Sequence, residues 1–408
     1  MVDSRTTALP PLASESLEDI SVSYKNCCDW SRCTLCGECL VKCPVIDIGR
    51  EEAKQQIELL LKGEPAPRVF GECTLCLSCN TYCPVQGLRP FELILQRITE
   101  QGDRNERVPA LVPYMLNSAS GPNFFREFYQ NELDREERAI LQKWSEPPPA
   151  SRDVLYVGCL GKTICRDIDN SVVMKDLPKF GPPDICCGEI HYRAGQWDAY
   201  TAIVEKTMAR FRELQAERIV FYCGACRTYL GPVLNKVYGK QLPFRLTTIF
   251  EWLLERYENG ELVVKRPLRF RAALHDFCNA SELGRDFQDN LRKIYRAAGA
   301  DFVELPHNRD QSFSCGAASI AREFSLGPML KAQKRRYGEV KAAGVKDIAA
   351  NCPGCYIAFS FTSWAYGLRP RYMPEELLKA FGDDITIPLR KRLPRFTKLF
   401  ALNLPLVF

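Results

Sequence analysis

The sequence predicts an α+α/β architecture, a helical N-terminal module followed by a pseudo-duplicated α/β region, and three observations carry that prediction. A tetracysteine motif closed by Cys-Pro occurs twice before residue 85. After a break at Pro147-Pro148-Pro149, apolar strand-like runs alternate with amphipathic helical stretches, the pattern of a parallel sheet with crossover helices. The cysteines of this second region recur in one order in two successive halves.

In the N-terminal module the motifs read Cys33-Cys36-Cys39-Cys43-Pro44 and Cys73-Cys76-Cys79-Cys83-Pro84. Three thiolates at this spacing wrap one face of a [4Fe-4S] cubane, and the fourth, before proline, crosses to the neighbouring cluster. The spacing therefore predicts one cubane on Cys33, Cys36, Cys39 and Cys83 and a second on Cys73, Cys76, Cys79 and Cys43. Paired zinc knuckles are disfavoured, because a four-ligand zinc site leaves no use for the repeated Cys-Pro. Ile57, Leu60 and Leu61 at helical spacing between the motifs, and a run opened by Pro90 after them, make this a helical two-cluster ferredoxin module.

The composition is that of an ordinary folded protein, with 46% hydrophobic and 26% charged residues in 408. Twenty cysteines at metal-like spacing, without an apolar signal core, point to a reducing cytoplasm rather than to disulfides. No stretch approaches the roughly 20 apolar residues that cross a bilayer, and a net charge of +5 spread along the chain gives no nucleic-acid footprint. Residues 1–24 are expected to be a flexible tail. The basic and apolar end, Arg390 to Phe408, is expected to pack back on its own domain, with a membrane surface or a partner as the alternative.

The second region begins with a strand at Val154 to Val157 ending at Cys159, followed by Cys186-Cys187-Gly188 and a strand Arg218 to Tyr222 ending at Cys223-Gly224-Ala225-Cys226. Its second half repeats the order: Ala272 to Leu274 leading to Cys278, then Ser314-Cys315-Gly316, then Cys352-Pro353-Gly354-Cys355. Each group falls at or beyond the C-terminal end of a strand, where open α/β sheets build their sites. The predicted domains are 25–145 for the cluster module, 151–265 and 266–385 for the two halves, and 386–408 for the C-terminal tail.

At these residues the chain resembles the cysteine-rich CCG-domain family, and its layout resembles the catalytic iron-sulfur subunit of two-subunit heterodisulfide reductases. Iron-sulfur subunits of glycolate oxidase and anaerobic glycerol-3-phosphate dehydrogenase are similar. The resemblance spans residue 27 to about 370. It implies that Cys159, Cys186, Cys187, Cys223 and Cys226 hold a noncubane [4Fe-4S] cluster able to meet a substrate sulfur. In the second half Ser314 replaces the first member of the doubled cysteine, leaving Cys278, Cys315, Cys352 and Cys355. Four thiolates suit a cubane, a smaller cluster or a structural zinc, so that site stays open between iron-sulfur and zinc.

His191, four residues after Cys187, is the candidate proton donor, while His275 is read as structural or as support to the ligands. Cys27 and Cys28 are assigned no ligand role, and Cys165 is placed near the first half's site. Gly158 to Thr163 imitates a phosphate loop, but Tyr156 stands where its first glycine is required. No GxGxxG fingerprint marks a bound flavin or nicotinamide.

The expected function is that of an oxidoreductase subunit in an anaerobic, membrane-associated complex. Two cubanes relay electrons to a CCG-bound noncubane cluster that reduces or forms a disulfide or related sulfur compound. The alternatives are a pure relay between a flavin dehydrogenase and a membrane cytochrome or quinone, and a metal-stapled assembly scaffold. An integral membrane subunit or a flavoprotein is the expected partner, on the cytoplasmic face of the membrane.

Overall fold

The computed structural model describes residues 27–104, 114, 123–321 and 326–403. The tail expected over residues 1–24 and the last residues, 404–408, lie outside them.

The cluster module is helical, as the spacing predicts: Arg50–Lys62, Ser78–Tyr82 and Pro90–Arg104 surround the two motif loops. Gly63, at φ +74°, ends the first of these by accepting the left-handed cap that a side chain resists. Beyond the module come two four-stranded parallel sheets. The first is built from β1 (Ser151–Tyr156), β2 (Lys179–Phe180), β3 (Ala216–Phe221) and β4 (Arg245–Thr248) in the order β2-β1-β3-β4. The second uses β5 (Arg271–His275), β6 (Asp301–Val303), β7 (Asp347–Ala350) and β8 (Arg369–Tyr372) in the order β6-β5-β7-β8.

The inner strands are buried on both faces, which is why they read as continuous apolar runs such as Val154-Leu155-Tyr156 and Ile348-Ala349-Ala350. Their register aligns the ends that carry function: Tyr156 lies beside Phe180 and Phe221, and His275 beside Ala350. Helices Trp197–Arg212 and Arg285–Ala297 fill two of the crossovers between parallel strands.

The apolar cores do not follow the domain boundaries that the sequence suggests. One core joins the cluster module, through Leu40, Ile57 and Phe91, to the first sheet's Tyr156, Ile219 and Phe221. The other joins helix Arg135–Ser145, expected in the cluster module, to the second sheet through Trp144, Leu274 and Leu377. Charges centred on buried Arg89, Glu92 and Glu282 stitch the pieces together. Arg89 meets Glu92 at 2.8 Å and Glu282 at 3.0 Å, Lys236 meets Glu282 at 2.8 Å, and the Tyr192 hydroxyl donates to Glu92 at 2.8 Å.

The C-terminal stretch folds back through residue 403. Helix Leu393–Leu402 lays Phe396 and Phe400 on Phe124, with ring centroids 5.4 and 5.0 Å apart, and buried Arg392 pairs with buried Glu137. Phe396 and Leu399 of this helix are buried, while Leu402 is exposed.

Candidate iron-sulfur centres

Each motif loop is bent by the same left-handed residues. Leu35 and Leu75, at φ +54° and +55°, hold equivalent positions before the second cysteine, and Gly37 and Leu77, at +74° and +68°, hold equivalent positions after it. A non-glycine residue in this region costs roughly 1–2 kcal/mol, so the curvature is imposed by something the loop must surround. What it surrounds is a pocket. Cys33, Cys36, Cys39 and Cys83 line one, with Trp30 and Ile57 among its apolar walls. Cys43, Cys73, Cys76 and Cys79 line the other, against Leu40, Phe91 and Ile94. The structure thus brings each cysteine before a proline to the other motif's three.

The donor set fits a [4Fe-4S] cluster in each pocket. Burial, followed by the nearby Cys76, pushes the Cys43 thiol up to about 12. Burial and neighbouring thiols likewise raise Cys39 and Cys79. Crowded thiols in an apolar pocket ionise only when positive charge joins them, which iron supplies. Backbone N–H groups already point to sulfur: Ile46 donates to Cys43 at 3.4 Å and Leu75 to Cys73 at 3.4 Å.

In the α/β region the nine matched cysteines lie at the C-terminal ends of the sheets. The thiols are close neighbours in succession, Cys159 beside Cys186, Cys186 beside Cys187, Cys187 beside Cys226 and Cys226 beside Cys223. The same chain of contacts continues from Cys223 to Cys352, Cys355 and Cys315. The two sets expected from the sequence are therefore neighbours in one belt of sulfur. Hydrogen bonds from Cys159 and Cys187 hold the Cys186 thiol well below its usual range, and those from Cys226 and Cys352 do so for Cys223.

Cys278 stands slightly apart. Burial pushes it up to about 12, Arg193 Nη2 donates to its sulfur at 3.3 Å, and its electrostatic neighbours include Cys315 and the cluster module's Cys76. This joins the second pocket to the second sheet's thiols.

Both glycines that follow the inner cysteines are left-handed, Gly188 at φ +75° and Gly316 at +76°. A Cβ there would stand 2.5 Å from the Tyr200 ring in the first case and 2.5 Å from the Met329 Cα in the second. Glycine at this place is a packing requirement. Ser314 fills the position of Cys186 with a buried hydroxyl that accepts from the Gly316 N–H at 3.0 Å.

The first site is ringed by buried polar groups that find no partner in the protein among the described residues. They are both His191 ring nitrogens and the Tyr156 hydroxyl. Burial lowers the His191 pKa, opposed by the charge of Cys186. Unsatisfied donors beside thiols are what a bound sulfur-rich group would satisfy. Around the second site, among the described residues, His275, buried beside the Phe359 ring at 4.8 Å, and the Nε of Arg336 are likewise unpartnered. His307 lies elsewhere, half-exposed, stacked on Phe313 and bound to Glu339.

Cys165 donates to the Glu137 carbonyl at 3.6 Å, in the core under helix Arg135–Ser145, and shares Tyr129 as a neighbour with Cys159 and Cys186. It sits on the short helix Cys165–Asp169. Tyr156, Arg193 and Lys162 are site residues that pattern reading missed. Lys162 alone had a signal, as part of the rejected phosphate-loop look-alike.

Comparison with known families fits this geometry. Residues 29–87 match the 4Fe-4S dicluster domain, and residues 154–231 and 272–360 each match the Cysteine-rich domain. The chain carries one 4Fe-4S dicluster domain and two cysteine-rich domains. Among curated relatives, the EtfAB:quinone oxidoreductase of Syntrophomonas wolfei is 24% identical over 50% of this chain and 30% of its own length. One subunit of the dihydromethanophenazine:CoB–CoM heterodisulfide reductase of Methanosarcina barkeri is 21% identical over 56% of this chain and 58% of its own. One subunit of the fumarate reductase (CoM/CoB) of Methanothermobacter marburgensis is 25% identical over 58% and 48%. The aligned regions thus span less than two thirds of these relatives. A solved structure of a hypothetical protein from Helicobacter pylori superposes with a TM-score of 0.42 at 13% identity, over 83% of this chain and 74% of that one.

Proposed function

We propose that this chain is the iron-sulfur subunit of an oxidoreductase complex, in which two cubanes pass electrons through the second cysteine-rich domain to a noncubane cluster in the first. There a disulfide is cleaved or formed. The observation that carries this reading is the unbroken succession of thiols, from the two pockets through Cys76 and Cys278 to Cys352, Cys223 and Cys186.

Cys33, Cys36 and Cys83 are half-buried and Leu35 is 38% exposed beside them, whereas Cys73, Cys76 and Cys79 are buried. Electrons from a partner therefore enter at the first pocket. The cubanes would rest on the two crossed quartets, and the noncubane cluster on Cys159, Cys186, Cys187, Cys223 and Cys226. When bound, that cluster supplies an iron able to meet substrate sulfur. Cleavage takes up two electrons and two protons and yields two thiols. His191, beside Cys186 and without another partner, would supply one proton and water the other, and the unpartnered Tyr156 hydroxyl would be free to donate to a sulfur of the bound group. The second domain, with Ser314 in place of a thiolate, serves as relay. We read the two cysteine-rich domains as copies of one ancestral unit, from their common strand order.

A second reading, a relay with no substrate of its own, is favoured by the same succession and by the relative named EtfAB:quinone oxidoreductase. No helix among the described residues is long and apolar enough to cross a membrane. In either reading the proposed partner is a membrane-bound or flavin-bearing subunit. Iron and sulfide counting with paramagnetic resonance on anaerobically purified protein separates the two. More iron than two cubanes hold, with a signal that changes when a disulfide or thiol is added and vanishes in Cys187→Ala, supports the first. An unresponsive signal overturns it in favour of the relay.

A further inference from the structure

Lys162 is fully buried, one turn after Cys159. Its ammonium donates to the Pro182 carbonyl and, at 3.4 Å, to the Ile185 carbonyl, the residue before Cys186. Beneath it, 5.7 Å away, lies the Tyr129 ring, whose hydroxyl donates to the Cys159 carbonyl at 2.7 Å. The ammonium therefore ties together the two loops that present Cys159 and Cys186.

Its charge is unmatched by any carboxylate. The acid within electrostatic range, Asp184, is exposed and paired with Lys206 at 2.7 Å. Burial lowers the Lys162 pKa, and the remaining groups that would oppose this are the thiols of Cys159, Cys186 and Cys226, which carry negative charge once they ligate iron. Buried cations near the second domain's thiols are arranged differently: Arg193 pairs with Glu189 at 3.2 Å and Arg336 with Glu339 at 2.9 Å. A buried charge persists only where an opposite charge or a full set of acceptors compensates it. An ammonium has three N–H groups, and carbonyls account for two of them.

We propose that Lys162 is the positioning residue and built-in countercharge of the first cysteine-rich site, holding the sulfur-rich centre there at a higher reduction potential than an uncompensated five-thiolate set would have. This rests on the reading that the first site binds an anionic iron-sulfur centre. The charge lies close to a group that gains an electron on reduction, so it favours the reduced form. Electrons arriving from the second domain are thereby drawn to the first.

The test is a redox titration of the anaerobic holoprotein followed by paramagnetic resonance, with iron content measured on each variant. Lys162→Gln keeps an N–H donor for the two carbonyls and removes the charge, and Lys162→Arg keeps the charge. The first-site signal of Lys162→Gln is expected to shift at least tenfold toward the oxidised form at a fixed potential, ~59 mV for a one-electron couple, while Lys162→Arg and the cubane signals hold their places. Loss of first-site iron in Lys162→Gln but not in Lys162→Arg also supports the countercharge. An unshifted Lys162→Gln signal overturns the proposal, as does equal loss of iron in both variants. Wild-type protein with no iron beyond the two cubanes overturns instead the reading of the first site on which the proposal rests.

Discussion

The two cysteine-rich domains share a four-strand order and a left-handed glycine after the inner cysteine, yet they surround their thiols differently. The first holds five thiols, an ammonium without a carboxylate and two residues with unpartnered buried polar atoms. The second holds four thiols, a hydroxyl that its own backbone satisfies, an arginine, Arg336, paired with Glu339, and His275 with both ring nitrogens unpartnered. The sheet decides where sulfur collects, and the few side chains around it decide how many thiols and which charges the site holds.

The largest test of this difference exchanges the unequal residues. Cys186→Ser gives the first domain the second's ligand set. It is expected to remove the substrate-responsive signal and to lower disulfide-dependent turnover more than ~100-fold, beyond the usual loss of an outer partner. The reverse change, Ser314→Cys, is expected to raise iron content at the second site and alter its spectrum. Should Cys186→Ser keep its signal and turnover, the two domains are equivalent and the comparison falls.

A smaller effect is expected at the shared glycines. Adding a Cβ at φ near +75° costs about 1–2 kcal/mol, and the collision adds about 1–3 kcal/mol. Gly188→Ala meets the Tyr200 ring and Gly316→Ala the Met329 Cα. A ring can tilt but a backbone atom carries its helix with it, so the thermal midpoint should fall further in Gly316→Ala. Equal midpoints would show that the second domain's loop is as adaptable as the first's.

The third test compares the helices that follow β4 and β8. Glu251, third in helix Ile249–Glu258, closes a capping box with Thr248, whereas Glu375, third in helix Met373–Phe381, has no such cap and accepts from the Leu389 N–H at 2.6 Å. Burial raises the Glu375 pKa from 4.5 to about 7. The folded chain therefore holds this proton more tightly than the unfolded chain. Its contribution is complete below pH 4.5 and is lost as pH rises through about 7, by ~3 kcal/mol at most. Denaturation midpoints of Glu375→Gln should lack the decline that the parent shows across this interval; an unchanged decline assigns it elsewhere. Smallest of all, Thr248→Ala should cost about 1 kcal/mol through loss of the cap, read from the same melts.

Much of this protein was determined by local sequence. Cys-x-x-Cys spacing needs only a few residues of backbone to gather three sulfurs, and continuous apolar runs such as Val154 to Val157 reveal a strand buried on both faces. The order of the cysteine groups likewise placed them at strand ends. Tertiary structure decided what depends on distant segments meeting. Cys278 lies beside Cys76, and Cys223 beside Cys352, because the sheets and the cluster module pack with their sulfur-bearing ends together. Helix Arg135–Ser145 joins the second sheet's core, and Cys165 turns into that core, since apolar area is buried without regard to its position along the chain. Lys162 shows the limit most plainly: a lysine in a glycine-bearing loop reads as a phosphate binder or a surface charge. Only its complete burial, with no carboxylate to answer it, turns its charge toward sulfur.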